Sequence, residues 1–305
     1  MLRRWRSLHP WLRAVLESVL ILVVLHVCVA RWVVVRNTSM YATLLPGDLV
    51  LVERWPLLTG FARGDVVVFR DPLKDRQAKW QRPLLVKRIA GMPGDELELR
   101  NGVLYINGEE QPFPATGTHG HLVRLRKDAD AEGIAGQLGL PPAMERPGRT
   151  FVELPLNPVL ADTLRKRSDV AAVEPMSTAT GAPRHIFPYS PRYRWNSDDY
   201  GPLRIPRKGD TLRITIDNLP LYDRLISRYE GHTLAVDGNE LTIDGRPLDT
   251  YVVEQDHYFV LGDNRHYSAD SRYWGFVPAD HLVGRASLIA VSKGSTPQPR
   301  GRWLR

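Results

Sequence analysis

Residues 36–52 read RNTSMYATLLPGDLVLV, a short polar loop that passes through Pro46-Gly47-Asp48 into an apolar run. A Pro-Gly turn followed by alternating leucine and valine is typical of a β-strand that begins at the turn. Ser39 lies in the polar part of this loop, just after an apolar N-terminal segment. A serine held at the edge of a sheet is a candidate nucleophile, but its hydroxyl needs a base to remove the proton.

The candidate base is Lys87, which follows Leu84-Leu85-Val86 and precedes Ile89-Ala90-Gly91. A lysine side chain has a pKa near 10.4, so a neutral amine at pH 7 needs a downward pKa shift of roughly 3.4 units. Burial among apolar groups produces shifts of that size. An exposed strand lysine beside Arg88 is the alternative interpretation, and the local pattern by itself leaves both open.

Gly-Asp dipeptides punctuate the chain and predict a mainly β fold. Those at 47–48, 64–65 and 94–95 each open a short apolar or alternating run, and Asn101-Gly102 separates two such runs as in a β-hairpin. No helical stretch separates these runs, which favours an antiparallel sheet over alternating strands and helices. We therefore expect an antiparallel, barrel-like or sandwiched β domain.

Two stretches with the same spacing of apolar residues predict two similar hairpins. The apolar positions of residues 97–106 recur with the same spacing in residues 234–243, and each set closes on Asn-Gly or Asp-Gly. Between them, residues 111–229 are irregular and rich in proline, with a short helix expected at Leu219–Tyr229. We interpret 111–229 as an inserted, smaller β-rich domain with long loops.

Composition argues against several classes of protein. The chain has 305 residues and a net charge of +7, but lysine and arginine are scattered and no aromatic-basic RNA-binding signature occurs, so no nucleic-acid partner is predicted. The single cysteine, Cys28, excludes an intrachain disulfide. The nine histidines lack zinc-type spacing, so no metal site is predicted.

The N-terminal segment is mostly apolar from Trp11 to Trp32 and predicts one transmembrane helix. A helix of that length rises about 33 Å, enough to cross the apolar core of a bilayer. Arginines are denser before this segment than after it, which predicts a cytoplasmic N-terminus and an external remainder. A cleaved signal peptide with Cys28-Val29-Ala30 at its cleavage site is the alternative.

Four ordered boxes of this sequence resemble those of the bacterial type I signal peptidases, also called leader peptidases. The boxes are 39–48 (SMYATLLPGD, the serine box), 64–69 (GDVVVF), 86–95 (VKRIAGMPGD, the lysine box) and 262–275 (GDNRHYSADSRYWG). The resemblance implies a membrane-bound endopeptidase that acts outside the cytoplasmic membrane, with Ser39 as nucleophile and Lys87 as general base. It also implies that neither a metal nor a cofactor takes part.

The resemblance assigns roles to further residues. It implies that Ser268 bonds to Lys87 and orients it, as a third group does for other nucleophile-base pairs. It also implies that two ion pairs brace the site, namely Asp270 with Arg272 and Asp263 with Arg88.

The sequence departs from the family's pattern at three places. Ala42 replaces a proline, and His266-Tyr267 replaces the usual Asp-Asn pair. Asn37 stands two residues before the nucleophile, where a serine often assists the oxyanion hole. Because an asparagine amide donates hydrogen bonds, we expect Asn37 and the Ser39 backbone N–H to form that hole.

The implied substrates are the small-x-small sites that end secretory signal peptides, cut through an acyl-enzyme on Ser39. An extended peptide adds to the free edge of a strand, and its alternate side chains enter shallow pockets. The candidate pocket residues are Val35, Met40, Leu44 and Val86, although ordinary core packing explains them equally well. Residues 55–58 (WPLL) form either an apolar surface for the lipid interface or a buried loop.

These features divide the chain into predicted parts. They are a cytoplasmic segment (1–13), a transmembrane anchor (14–32), a catalytic β domain (33–110 and 230–292), an inserted domain (111–229) and a flexible basic tail (293–305). The expected location is the cytoplasmic membrane, with preproteins and the bilayer as partners.

Three other functions stay open. A specialised Ser-Lys peptidase that matures a pilus or conjugation protein would share this chemistry. Self-cleaving repressors have a similar Ser-Lys core, but they need a DNA-binding helix-turn-helix where this chain has an apolar segment. An anchored protein that binds signal peptides without cutting them would not need Ser39, Lys87 and Ser268 together. A Ser-His-Asp hydrolase is disfavoured because no Gly-x-Ser-x-Gly occurs.

Overall fold

The computed structural model describes residues 9–24, 29–126, 130–137, 139, 144–145, 151–178, 185–238, 240–292 and 302–304. The strands are β1 (Ala30–Val34), β2 (Leu49–Glu53), β3 (Val66–Arg70), β4 (Leu84–Gly91), β5 (Glu96–Arg100), β6 (Val103–Ile106), β7 (Glu109–Glu110), β8 (His119–Leu125), β9 (Met144–Glu145), β10 (Phe151–Leu156), β11 (Val170–Pro175), β12 (Tyr200–Arg204), β13 (Thr211–Arg213), β14 (Leu234–Asp237), β15 (Glu240–Ile243), β16 (Arg246–Pro247), β17 (Thr250–Val252), β18 (His257–Leu261), β19 (Val277–Pro278), β20 (Leu282–Val291) and β21 (Arg302–Trp303). The α-helices are α1 (Pro10–Val24), α2 (Pro56–Thr59), α3 (Ala131–Gln137), α4 (Pro158–Arg165), α5 (Leu219–Arg224) and α6 (Ser271–Trp274).

An eight-stranded antiparallel sheet forms the centre of the fold. Its order is β1-β2-β20-β3-β4-β18-β19, and β21 pairs with β20. The prediction of a mainly antiparallel β protein is therefore confirmed. In the described part of the chain this order has two ends, so the predicted barrel-like closure is not seen there.

Strand β3 shows why the valine-rich runs become strands. Successive side chains of a strand point to opposite faces of its sheet. Val66 and Val68 pack into one apolar cluster, while Val67 and Phe69 pack into another on the opposite face. Because both faces are covered, β3 is apolar at every position from Val66 to Phe69, and it holds its neighbour β4 in place.

The two predicted hairpins are confirmed, and they have the same register. β5 pairs with β6, and β14 pairs with β15, in both cases as antiparallel neighbours. The equivalent cross-strand pairs are Leu97 with Ile106, Leu99 with Leu104, Leu234 with Ile243, and Val236 with Leu241.

Residues 111–229 contribute strands to several sheets. β8, β9, β10 and β11 form a four-stranded sheet of their own in the order β11-β8-β10-β9. β12 pairs instead with β5, and β13 pairs with β17. The helix expected at Leu219–Tyr229 is confirmed as α5, which a π-helical turn continues from Leu225 to Tyr229. The domain boundaries drawn from the sequence stay predictions.

The N-terminal apolar segment contains both a helix and a strand. Helix α1 has 15 residues, and no helix among the residues described is long and apolar enough to cross a bilayer. The prediction that the helix continues to Trp32 is wrong, because Ala30–Val34 form β1 and pair with β2. β1 leads the chain directly towards Ser39. Residues 1–8 and 25–28 lie outside the described residues.

The C-terminal segment was predicted to be a flexible tail, but three of its residues pack on the central sheet. β21 pairs with β20, and the Leu304 N–H donates to the Ser287 carbonyl at 2.8 Å. Arg302 Nη2 donates to the Thr43 carbonyl at 2.7 Å, which connects this segment to the loop that carries Ser39. The remaining residues of 293–305 lie outside the described residues.

Candidate active site

Ser39 and Lys87 are in contact, although the strands that lead to Ser39 and contain Lys87 are not neighbours in the strand order of the central sheet. β1 leads the chain into the turn that carries Ser39, and Lys87 lies in the middle of β4. Lys87 Nζ donates a hydrogen bond to Ser39 Oγ at 2.5 Å. Lys87 is only 4% exposed, whereas Ser39 is partly exposed. A buried amine is therefore in direct contact with an accessible hydroxyl.

The surroundings of Lys87 favour its neutral form. Burial lowers the pKa of Lys87 to about 8, because a charged amine loses its hydration in the apolar interior. The carboxylates of Asp270 and Asp263 act in the opposite direction, and the guanidinium of Arg272 acts in the same direction as burial. With this pKa, Lys87 changes its protonation state close to neutral pH and can serve as a base.

Asn264, in the loop after β18, contacts the backbone of the turn that carries the candidate nucleophile Ser39 (residues 38–45, the nucleophile turn). Its N–H donates to the Ser39 carbonyl at 3.1 Å, and its Nδ2 donates to the Thr38 carbonyl at 3.1 Å. Thr118 Oγ1 in turn donates to Asn264 Oδ1 at 3.2 Å. Sequence reasoning gave neither Asn264 nor Thr118 a role. Asn264 lies in the fourth box, which is the signal that could have identified it.

The Arg88–Asp263 pair connects β4 to the same turn. Arg88 Nε and Nη2 donate to the two carboxylate oxygens of Asp263 at 2.9 and 2.6 Å. Asp263 also accepts a hydrogen bond from Thr43 Oγ1, four residues after the serine. Two parallel bonds fix both groups more firmly than one bond does. Asp263 thus fixes the strand that contains Lys87 and the turn that contains Ser39 relative to each other.

The Asp270–Arg272 pair is completely buried behind the site. Arg272 Nε and Nη2 each donate to Asp270 at 2.8 Å, and these side chains are 1% and 0% exposed. Asp270 also accepts the Gly262 N–H at 3.0 Å, and Arg272 Nη1 donates to the Ser197 carbonyl at 3.0 Å. The pair therefore fixes the shape of the loop from 262 to 272.

Ser268 does not make the hydrogen bond to Lys87 that the resemblance implied. Its side chain is buried, and its Oγ has no hydrogen-bond partner in the part of the chain that the structure describes. Lys87 Nζ forms its hydrogen bond with Ser39 Oγ instead. Ser268 packs against Gly262, where an added Cβ would lie 2.1 Å from Ser268 Oγ and 2.5 Å from the Ser39 carbonyl oxygen. Glycine is thus needed at 262 so that the three segments can approach each other.

A cavity of about 480 Å³ opens beside Ser39 and Lys87. Residues 31–37 form one wall and residues 83–87 form the other. β1 ends the sheet order, and the β18 pairs of β4 begin only at Arg88, so both walls have strand edges without a partner strand among the described residues. The cavity therefore has the form of a groove between two strand edges.

The sequence-predicted site residues divide between this groove and the core. Asn37 is exposed and lines the groove with Ser39. Val35, Met40 and Val86 also line it, although Val35 and Met40 are only 5% and 1% exposed. Leu44 is not in the lining, because it is fully buried in the apolar cluster beneath.

The inserted region packs directly beneath the nucleophile turn. Tyr41 and Leu45, on that turn, belong to the apolar core formed by β8, β10, β11, α3 and α4. Tyr41 Oη donates to the Gly139 carbonyl at 2.5 Å, and the Ala42 N–H donates to the Thr116 carbonyl at 3.3 Å. The turn that bears Ser39 is therefore supported from both the central sheet and the insert.

His266, which replaces an acidic residue of the family's pattern, is a second link to the insert. Its Nδ1 accepts the Gly120 N–H at 3.0 Å, and its Nε2 lies 3.2 Å from Asp198 Oδ1. The change therefore joins the fourth box to β8 and to the segment before β12. No group of three or more His, Cys, Asp or Glu side chains among the described residues is arranged to hold a metal ion.

Comparison with known proteins gives a family match over most of the chain. The model of the family described as "Signal peptidase, peptidase S26" matches residues 8–140 and 203–291. A signal peptidase I from Bacillus licheniformis is 30% identical over 149 residues, which are 48% of this chain and 72% of that protein. One from Bacillus caldolyticus is 31% identical over 144 residues, 46% of this chain and 70% of that protein.

A solved structure, that of a signal peptidase I from Enterococcus faecalis V583, aligns with 74% of this chain and 97% of its own. The sequence identity is 17% and the TM-score is 0.26, which is too low to support an argument about the fold. The family assignment therefore rests on the sequence matches.

Proposed function

The chain belongs to the peptidase S26 family of signal peptidases, and we propose that it removes N-terminal signal peptides from secreted preproteins, with Ser39 and Lys87 as the reacting pair. The observation that carries this proposal is the 2.5 Å contact of Lys87 Nζ with Ser39 Oγ at the wall of the groove. A buried amine of lowered pKa beside an accessible hydroxyl is the arrangement that a serine nucleophile requires.

The proposed reaction proceeds through an ester on Ser39. Neutral Lys87 takes the hydroxyl proton while Ser39 Oγ attacks the scissile carbonyl carbon, which gives a tetrahedral intermediate. The intermediate collapses, the C–N bond breaks, and protonated Lys87 gives its proton to the leaving amine of the mature protein. Lys87 then takes a proton from the water that attacks the ester carbonyl. The ester C–O bond to Ser39 breaks, protonated Lys87 returns the proton to Ser39 Oγ, and the signal peptide leaves with a free carboxylate.

The pH dependence of cleavage tests the role of Lys87. A pKa of about 8 leaves about half of Lys87 neutral at pH 8 and about one tenth at pH 7. We therefore expect kcat/KM to rise about tenfold for each unit of pH below this pKa and to level off above it. A profile measured on one preprotein from pH 5.5 to 9.5 checks this, with folding monitored at each pH. A flat profile, or a midpoint near pH 6, contradicts a lysine base.

Asn37 and the Ser39 N–H are proposed as the oxyanion hole. Asn37 is exposed on the groove wall two residues before the nucleophile. Loss of one oxyanion donor typically lowers kcat by about 10²–10³-fold, so we expect a loss of that size for Asn37→Ala. Asn37→Ser keeps a donor at this position and is the matched control, with a smaller loss expected. Equal kcat values for Asn37→Ala and the unchanged protein would exclude Asn37 from the hole.

Gly262 offers a test of how closely the site must pack. In Gly262→Ala, the added methyl group would collide with Ser268 Oγ and with the Ser39 carbonyl, so the nucleophile turn has to move. A misplacement of about 1 Å costs on the order of 10² in kcat/KM. Gly136→Ala is the control, because a Cβ at Gly136 meets open space. If Gly262→Ala keeps full activity, Ser39 is not held as tightly as these contacts imply.

The free strand edges of the groove support a bound peptide in extended form. Such a peptide can add to β1 or β4 through main-chain hydrogen bonds, and its alternate side chains then point into the groove. Met40 and Val86 line the groove beside Ser39 and Lys87 with apolar side chains, which suits small apolar side chains before the cleaved bond. The proposed substrates are therefore preproteins with small-x-small sites.

Attachment to the cytoplasmic membrane is the second part of the proposal, with the N-terminus inside and the β domain outside. Its support is the apolar run of residues 11–32, together with exposed apolar side chains on α1 and α2, among them Leu20 at 60% and Leu58 at 91%. Exposed apolar surface of this kind favours contact with lipid. Protease treatment of intact spheroplasts tests it, since the β domain should be digested while a tag at the N-terminus is protected.

A further inference from the structure

A second cavity lies on the other side of β4 from the groove. Its volume is about 280 Å³, and its lining includes Arg63, Arg88 and Arg265 together with a single carboxylate, that of Asp263. Arg88 follows Lys87 on β4, and neighbouring strand residues point to opposite faces. The cavity and the groove are thus separate spaces, and residues of the same strand, β4, line both of them.

Two of the three arginines have carboxylate partners. Arg63 Nη2 lies 2.8 Å from Asp95, and Arg88 is paired with Asp263. Arg265 differs from both, because its Nε is buried with no hydrogen-bond partner and no ion pair to it is found within the described residues. Its Cζ lies 5.0 Å from the ring centroid of Phe113. A ring face attracts a cation, but it is a much weaker acceptor of N–H hydrogen bonds than an oxygen atom is.

The unpartnered guanidinium of Arg265 is 6% exposed and borders two adjoining cavities, this one and a smaller one that Phe113 and His119 also line. Burial and the nearby Arg272 lower the pKa of Arg265 to about 10, while the carboxylates of Asp263 and Asp270 act in the opposite direction, so the group stays charged at neutral pH. Burial also lowers the pKa of His119 to about 4, so that ring is neutral there. A buried guanidinium whose N–H groups lack acceptor oxygens is costly, which makes this position favourable for an anion.

We propose that this cavity is a binding site for a small oxyanion, a phosphate or a carboxylate group, held by Arg265 with Arg88 and Arg63 at its sides. Guanidinium groups present planar pairs of N–H donors that match two oxygens of such a group. The anion would supply Arg265 with the hydrogen-bond acceptors that the described residues do not provide.

A bound anion would also affect the position of the nucleophile turn. An anion beside Arg88 competes with Asp263 for that guanidinium, and Asp263 holds Thr43 in the turn that carries Ser39. The anion therefore lowers the rate of peptide cleavage, a consequence that rests on the proposed function. Binding itself does not depend on that function.

Thermal unfolding of the full chain in detergent tests the site. The probes are sodium phosphate and sodium acetate, each titrated at constant ionic strength with sodium chloride, so that general screening stays fixed. A ligand that binds only the folded state raises Tm, and we expect a saturable rise on the order of 5 °C at a hundred times Kd. A rise with phosphate, with acetate or with both identifies which oxyanion the site takes.

Variants assign the effect to Arg265. Arg265→Met keeps the length of the side chain and removes its charge, so the rise should disappear, while Arg265→Lys should keep part of it. Arg213→Met is the control, since the Arg213 side chain is 81% exposed and should change nothing. The proposal is overturned if neither anion stabilises the unchanged protein, or if Arg265→Met responds fully. If Arg265→Met does not fold, the Tm rise of Arg265→Lys is compared with that of the unchanged protein, and an equal rise in both overturns the proposal.

A cleavage assay under the same conditions separates this proposal from the proposed function. Saturating anion should lower the rate several-fold in the unchanged protein and leave the rate of Arg265→Lys less affected. Stabilisation by anion without any peptide cleavage would reject the function and keep the site. Cleavage without stabilisation would reject the site and keep the function.

Discussion

Lys87→Met is expected to abolish peptide cleavage while the protein keeps its fold. The variant removes the only base in contact with Ser39 Oγ among the described residues, and loss of a member of a nucleophile-base unit costs on the order of 10⁴-fold or more in kcat. Methionine has nearly the same length and is apolar, so it suits a position that is 4% exposed. The removed amine was desolvated, so we expect an equal or higher Tm.

The control for this prediction is Lys208→Met, because Lys208 is exposed and lies away from the groove. It should keep the kcat/KM of the unchanged protein. The measurement is single-turnover cleavage of a purified preprotein, with circular dichroism and Tm on the same samples. Activity of Lys87→Met within tenfold of the unchanged protein would mean that Lys87 is a structural residue.

The largest loss of stability is expected for Arg272→Met. This variant leaves the Asp270 carboxylate, which is 0% exposed, without its bidentate partner. Breaking one side of a buried ion pair costs about 3–5 kcal/mol, because the remaining charge stays desolvated. Burial raises the pKa of Asp270 and the Arg272 guanidinium lowers it, with a net value below the ordinary range. The pair is therefore ionised at neutral pH, and the full penalty applies.

Urea unfolding at pH 7 measures this loss. The double variant Asp270→Asn/Arg272→Met should recover part of the free energy of unfolding, since no buried charge is left alone. Arg213→Met is the control, because its pair with Asp249 is exposed on both sides and contributes little. A loss below about 1 kcal/mol for Arg272→Met would contradict the assignment of Asp270–Arg272 as the brace of the loop from 262 to 272.

Local patterns in the sequence predict both hairpins, and the resemblance of four short boxes singles out Ser39 and Lys87. Gly-Asp and Asn-Gly turns mark where strands begin, and alternation of apolar residues marks their buried face, so β5 with β6 and β14 with β15 could be predicted. Ser39 and Lys87 stand in two boxes whose residues are contiguous, and a contiguous motif can be recognised without knowledge of the fold.

The remaining features depend on contacts between distant parts of the chain. The apolar run that ends at Trp32 suits a helix and an edge strand equally, and only its pairing with β2 makes Ala30–Val34 a strand. The contacts of Asn264 with the turn, and of Tyr41 with the insert, join segments that no local pattern connects. The position of Ser268 follows from its packing on Gly262, which a motif does not specify.

The most direct test of Ser39 as the nucleophile of a signal peptidase is cleavage of one purified preprotein in detergent, followed by N-terminal sequencing of the product. The unchanged protein and Ser39→Ala are compared at pH 8.5, where Lys87 is mostly neutral. We predict that the unchanged protein cuts once, after a small-x-small site, and that Ser39→Ala is folded and inactive. Cleavage by Ser39→Ala at the same site, or no cleavage by the unchanged protein, would contradict Ser39 as the nucleophile of a signal peptidase.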